Sequence, residues 1–268
     1  MLESESMRPQ SFELFTERLR DKLENDPRVI GFVTLGTTAD SELRDEWSDH
    51  DFWIITEAGA QNSYLTDFSW LPDAENIAIT VRHGERYRSA VYRDRHKVEF
   101  AVLDVDEARD GKIERYGVLI DRGGVAELIE SIRQQTFEQA QTSRTWADGL
   151  QNLCIIVWTA CERFERGEML SARQYIDGFA VNQLLQLVSV HTSDESDVSA
   201  DLLDARRRLE MRSPELAAEV LRILTKPVPE AALGLLGIAE RELKSKAPDL
   251  AWEEVALVQT WISELEGQ

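Results

Sequence analysis

The part of this chain that most restricts its fold is Val29-Ile30-Gly31-Phe32-Val33-Thr34-Leu35-Gly36-Thr37-Thr38, followed by Trp47-Ser48-Asp49-His50-Asp51-Phe52-Trp53-Ile54-Ile55. It reads as an apolar strand, a Gly-Thr turn, a polar loop and a second apolar strand with two aspartates near its start. Strand side chains alternate faces, so Asp49 and Asp51 project together, about 6–7 Å apart along the strand. Two carboxylates held side by side repel unless a cation lies between them. Hard oxygen ligands in that arrangement suit Mg²⁺, which takes carboxylates together with substrate phosphates. The turn at Gly36, Thr37 and Thr38 offers backbone N–H groups and hydroxyls to phosphate oxygens. Metal-binding carboxylates beside a phosphate cradle point to phosphoryl or nucleotidyl transfer.

A third acid interrupts a later apolar run, Lys97-Val98-Glu99-Phe100-Ala101-Val102-Leu103. Alternation puts Val98, Phe100 and Val102 on one face and Glu99, Ala101 and Leu103 on the other. An acid in such company needs a partner or water. It is either one half of a salt bridge, for instance to Arg82 or Arg93, or a general base. Asp104, at the strand end, reads as a turn residue. His50 points away from both aspartates and is read as structural or exposed, not as a ligand.

Gly36-Thr37, followed by Ser48-Asp49-His50-Asp51, resembles the Gly-Ser…Asp-x-Asp/Glu signature of the DNA polymerase β-like nucleotidyltransferases, with Glu99 as the third strand acid. The chain is most similar to the antibiotic-modifying branch, the lincosamide and aminoglycoside nucleotidyltransferases. Length, the strand around Glu99 and a helical second half that includes Arg166-Gly167-Glu168 all match that branch. The resemblance implies an α+β fold. A catalytic domain of mixed sheet with flanking helices would occupy residues 1–125. An all-α bundle would occupy 126–268, supplying an acceptor pocket and a homodimer contact.

The same resemblance implies the chemistry. A nucleoside monophosphate, AMP from ATP or its equivalent from another NTP, would move to a hydroxyl of a small molecule such as an aminoglycoside or lincosamide, with release of pyrophosphate. Asp49 and Asp51 would hold Mg²⁺. Glu99 would act as general base and assist with the metal. Gly36, Thr37, Thr38 and Ser48 would surround the triphosphate. Apart from the resemblance, the charge that develops there in the transition state suits a guanidinium, and Arg173 on the helical half would reach it. The turn departs from the family pattern: Thr37 replaces serine, and Thr38-Ala39-Asp40-Ser41 lacks the usual cation and second glycine, for which Arg44 is a substitute. Two alternatives stand beside this reading: a toxin-like transferase that modifies proteins, and a nucleotide-binding module without catalysis. The chain's own helical domain argues against the first, and retention of three acids against the second.

Fifty acids against thirty bases give a net charge of −20. A phosphate backbone needs a basic surface, so general binding to polynucleotides is excluded. The acidic excess either attracts a cationic substrate to the cleft or serves solubility or salt adaptation with no bearing on the substrate. No apolar run reaches the length of a membrane span and the N-terminus lacks a signal-peptide pattern, so a cytoplasmic enzyme is expected. Cys154 and Cys161 lie seven apart in an apolar helical stretch and are read as buried thiols. Trp70, Trp146, Trp158, Trp252 and Trp261 are read as core anchors.

Periodicity predicts a helix over 11–25 and strands near 29–35 and 51–56, then a short helix over 62–71 and a strand over 77–81. A hairpin follows, pairing 89–93 with 97–105, and then a strand over 118–121. From 125 onward the period is helical, with helices at 125–139, 144–166, 169–191, 199–210, 214–225, 229–246 and 250–266. The run 191–198 reads as a loop.

Overall fold

The structure is a computed structural model and describes residues 9–142, 146–192, 204–248 and 250–265. The chain divides into two compact units, residues 1–137 and 138–268. The first unit runs α1 (Pro9–Glu24), β1 (Val29–Leu35), α2 (Gly36–Ala39), β2 (His50–Thr56), α3 (Gln61–Thr66), β3 (Ile77–Arg82), β4 (Tyr87–Tyr92), β5 (Lys97–Leu103), α4 (Val105–Arg109), β6 (Tyr116–Asp121) and α5 (Val125–Thr142). Its six strands form one mixed sheet in the order β3-β4-β5-β2-β1-β6. β2 and β5 pair in parallel, and their neighbours pair antiparallel.

Both faces of the central strands are buried, which is why β1 and β2 read as nearly unbroken apolar runs. On one face Phe32, Phe52, Ile54, Val98, Phe100 and Val102 pack against Phe15, Leu19 and Leu23 of α1 and Tyr64 and Leu65 of α3. On the other, Val33, Trp53, Ile55, Ala101 and Leu103 pack against Ala108 of α4 and Val125, Ile129 and Ile132 of α5. Each large apolar side chain so buried contributes about 1.5–3 kcal/mol. Gly31 is needed for this approach, because a Cβ there would lie 2.8 Å from Val125 Cγ1.

Asp104 is not a simple turn residue. It caps α4, accepting from Glu107 N at 2.9 Å while Glu107 Oε2 accepts from Asp104 N at 3.0 Å. This reciprocal capping satisfies two N–H groups that the helix start would otherwise leave without partners.

The second unit contains α6 (Trp146–Glu165), α7 (Met169–Gln174), a π-helical segment (Tyr175–Ala180), α8 (Val181–Thr192), α9 (Leu209–Arg212), α10 (Pro214–Leu224), α11 (Val228–Leu243) and α12 (Trp252–Leu265). Its core joins Leu153, Val157 and Cys161 of α6 with Leu184 of α8, Leu235 and Ala239 of α11 and Val255 and Ile262 of α12. Cys154 and Cys161 are buried free thiols, as read from their helical spacing. Trp252 is buried, Trp70 and Trp158 are half-buried against the cores, and Trp261 lies tilted on Trp158 with substantial exposure. The side chain of Trp146, most of the expected loop at 191–198 and the start of the expected helix at 199–210 fall outside the described residues. No described helix is long and apolar enough to cross a membrane.

Candidate active site

The parallel register of β2 and β5 sets Asp51 opposite Glu99 and His50 opposite Val98. Asp51 shares a face with Trp53 and Ile55, and Glu99 with Ala101 and Leu103, so both lie on the face that α4 and α5 cover. They stand at the strand starts, where that face opens and both side chains are only half-buried. Asp49, two residues before Asp51, joins them. Asp49, Asp51 and Glu99 each offer a carboxylate oxygen, and these atoms all lie within 4.8 Å of one another.

A lysine lies in this cluster. Lys97, one strand position beyond the Val98–His50 pair, places Nζ 2.6 Å from Asp49 Oδ2 and 3.3 Å from Glu99 Oε1. Burial pulls the ammonium toward its neutral form, but its bonds to Asp49 and Glu99 and the charges of the two carboxylates outweigh this, and its pKa is raised. The cluster therefore already draws a positive charge, which is the property a divalent cation would use. Sequence reasoning passed over Lys97, although two-residue alternation places it on the same face as Glu99.

The turn after β1 supports the carboxylates. Gly36 has φ +52°, a left-handed conformation that glycine adopts without steric cost. It opens the single turn of α2, in which Thr37 and Thr38 are buried. Thr38 Oγ1 accepts from Asp51 N at 2.8 Å and donates to Asp49 O at 3.2 Å. It thus grips the backbone on both sides of His50 and fixes the two aspartates relative to the turn. Arg44 donates to Thr37 O at 3.3 Å and to Thr38 O at 3.1 Å, pairs with Glu13 and lies over the Phe12 ring. Its guanidinium is engaged in holding the turn to α1. Ser48 Oγ closes a local turn with Asp45, accepting from Asp45 N at 2.9 Å and donating to Asp45 Oδ1 at 3.1 Å. Arg173, in the helical unit, donates to Asp177 Oδ2 at 3.1 Å, to Leu224 O at 2.6 Å and to Lys226 O at 3.0 Å. It thereby closes the C-terminal end of α10.

Behind the carboxylates, on the opposite face, His50 and His96 form a buried pair. Their Nδ1 and Nε2 atoms are 2.7 Å apart, and His50 stacks on Phe12. His50 Nε2 lies 3.2 Å from the Phe12 carbonyl and 3.0 Å from Thr16 Oγ1. Across the Nδ1–Nε2 contact one neutral imidazole donates and the other accepts. Burial lowers the pKa of His50 to about 2, with the neighbouring imidazole a further cause, and that of His96 to about 4. His50 is structural, as its strand face implied.

Glu99 also has a neighbour on its other side. Ser89, its direct partner across the β4–β5 pair, donates from Oγ to Glu99 Oε1 at 3.0 Å. Neither Arg82 nor Arg93 is paired with Glu99 among the described residues; its cationic partner is Lys97.

Comparison with known proteins follows this geometry. A search of curated proteins finds no match to the chain. The crystal structure of an aminoglycoside 6-adenyltransferase from Bacillus subtilis aligns over 96% of this chain and 99% of that chain, at 12% identity and a TM-score of 0.35. The family model of streptomycin adenylyltransferase matches residues 13–224, a span that includes the Gly-Thr turn and all three carboxylates. With well over half of its length matched by that model, the chain belongs to the streptomycin adenylyltransferase family and is a nucleotidyltransferase enzyme.

Proposed function

We propose that this enzyme transfers AMP from ATP to a hydroxyl of a small cationic antibiotic of the aminoglycoside class and releases pyrophosphate. The observation that carries the reading is the convergence of Asp49, Asp51 and Glu99, whose oxygens lie within 4.8 Å of one another at the open end of two paired strands. Three carboxylates so close repel, and such an arrangement lowers stability unless a cation offsets it. Family membership gives the class of reaction in which that cost is useful. The net charge of −20 adds an attraction for acceptors that carry amines.

The donor set fits Mg²⁺, which binds through one or two carboxylates and completes its shell with water and substrate phosphates. Asp49 and Asp51 would hold it, with Glu99 beside them. When bound, Mg²⁺ supplies charge neutralisation at the phosphates of ATP. The remaining work falls to the chain. Gly36 and Thr37 line the turn beside Asp51 and would contact phosphate oxygens, while Thr38 keeps the aspartates in place. Glu99 takes the proton of the acceptor hydroxyl. The acceptor oxygen then bonds to the α-phosphorus as the bond to pyrophosphate breaks, in line with the attack. Lys97, which bonds Asp49 and Glu99, would supply positive charge toward the departing pyrophosphate if Asp49 turned to the metal.

The test is incubation of the full chain with α-labelled ATP, Mg²⁺ and a panel of aminoglycosides and lincosamides, streptomycin included. The reading expects labelled AMP on an antibiotic of the aminoglycoside class and one pyrophosphate per transfer. Label on a protein, or tight ATP binding with no transfer to any member of the panel, would overturn it.

A further inference from the structure

We propose that Ser89 and His83 are positioning residues for Glu99: two hydrogen bonds in series fix which carboxylate oxygen faces the acceptor's proton. This rests on the reading of Glu99 as general base. Ser89 is buried and stands directly opposite Glu99 in the β4–β5 register, with its hydroxyl 3.0 Å from Glu99 Oε1. His83, just past the end of β3, places Nε2 2.8 Å from the same Ser89 oxygen. Its backbone is tied to the hairpin by His83 N donating to Tyr87 O at 3.1 Å.

The direction of the chain follows from what each group can do. An ionised carboxylate only accepts, so the Ser89 proton points at Oε1. The Ser89 oxygen then accepts from His83, which must carry a proton on Nε2. A serine hydroxyl polarised in this way is a stronger donor than one left to rotate. Lys97 Nζ approaches the same Oε1 at 3.3 Å. Two donors therefore converge on Oε1, while no described residue donates to Oε2. Oε2 keeps its lone pairs for the acceptor's proton, and the carboxylate plane is held by groups that take no part in bond changes. Neither Ser89 nor His83 touches the reacting atoms in this scheme. They act through Glu99, as groups that orient a catalytic base do.

The experiment is single-turnover AMP transfer to whichever antibiotic of the panel the natural enzyme labels, with ATP affinity measured by calorimetry and folding by thermal melting. The variants are Ser89→Ala, His83→Ala, His83→Gln and Glu99→Gln. Loss of orientation at a reacting group costs on the order of 10- to 100-fold. Ser89→Ala should therefore slow transfer by about that factor, with KM and ATP affinity unchanged. His83→Ala should slow it less, and His83→Gln, which keeps an N–H donor, should recover part of the loss. Adding Ser89→Ala to Glu99→Gln should cost nothing more, because the base it serves is gone.

Natural rates in Ser89→Ala and His83→Ala alongside an inactive Glu99→Gln would overturn this role and leave the base assignment standing. The role would also fall if Ser89→Ala lost ATP affinity in proportion to rate, or caused the same further loss in the Glu99→Gln background, since both mark a purely structural serine. Full activity in Glu99→Gln, or no labelled antibiotic with the natural enzyme, would remove the base assignment and this role with it.

Discussion

Asp51 and Glu99 are direct partners across the parallel β2–β5 pair, so two acids face each other where a sheet ordinarily places compatible side chains. The strands tolerate this because the positions beyond them are apolar and fully buried: Trp53 and Ile55 follow Asp51, and Ala101 and Leu103 follow Glu99. The register is set by that buried run, and a slip of one residue would turn every side chain of the strand to the opposite, differently packed face. The core thus holds the two carboxylates together against their repulsion.

Lys97 offsets part of that repulsion. Replacing it with methionine, which keeps the apolar stem, should leave three acids without their internal cation. The expected result is a lower melting temperature in the presence of a chelator and a larger rise on adding Mg²⁺ than the natural enzyme shows. Mg²⁺ should also bind more tightly, since no ammonium competes for Asp49 and Glu99. Melting scans across a Mg²⁺ titration measure both effects. Identical Mg²⁺ responses in the two proteins would show that Lys97 does not occupy the cation's place.

The His50–His96 pair makes the fold sensitive to acid. Both folded pKa values are depressed, so the unfolded chain binds more protons than the folded one at acidic pH. The pair's contribution is complete above the unfolded value of about 6.5 and is lost as pH falls from there toward the folded values. Each imidazole that must be kept neutral adds up to about 1.4 kcal/mol per pH unit to that slope. Protonating both would also set N–H against N–H across a 2.7 Å contact. Melting temperature should therefore fall steeply between pH 6.5 and about 4, and more gently in a His50→Gln, His96→Gln double variant. Equal slopes in the two proteins would contradict the assignment.

Gly36 should be sensitive to a conformational change rather than to bulk. A Cβ there would lie 3.7 Å from Asp51 Oδ2, an ordinary contact, but the φ of +52° is costly for other residues. Gly36→Ala should cost about 1–2 kcal/mol, or very roughly 2–8 °C in a domain of this size. It should also weaken ATP binding as the turn relaxes. Gly36→Asn should lose less, because asparagine visits that region more readily. Thermal melting and calorimetry read both, and an alanine variant as stable as the asparagine variant would speak against a conformational cause.

How much of this was legible depended on range. β1 is found at the predicted 29–35, and β2 begins one residue before the predicted 51, because uninterrupted apolar runs report burial on both faces. Alternation put Asp49 and Asp51 on one face and turned His50 away from them, whereas Glu99 stands out in sequence mainly through the resemblance to the nucleotidyltransferases. Lys97 escaped notice because its importance comes from β2 pairing in parallel with β5, across more than forty residues of chain. Ser89 was hidden for the same reason, being defined by its partner on another strand. The turn chemistry was read only in part. Thr38 reads in sequence as a phosphate contact, and its oxygen is engaged by the backbone of Asp49 and Asp51. Arg173, expected to reach the triphosphate because charge develops there in the transition state, is held by Asp177 and two carbonyls at the end of α10. The helix over 169–191 is one periodic run in sequence, and nothing in its periodicity marks the π-helical segment at Tyr175–Ala180.

The central claim is that Asp49 and Asp51 hold the metal that makes AMP transfer possible. The most direct test is single-turnover transfer from α-labelled ATP to an aminoglycoside at saturating Mg²⁺ by Asp49→Asn and Asp51→Asn, each compared with the natural enzyme. Both aspartates are partly exposed at the strand start, so their replacement should change stability by no more than about 1 kcal/mol. The account predicts folded variants with melting temperatures close to that of the natural enzyme and no detectable AMP on the antibiotic. Transfer at near-natural rates by either folded variant would contradict it.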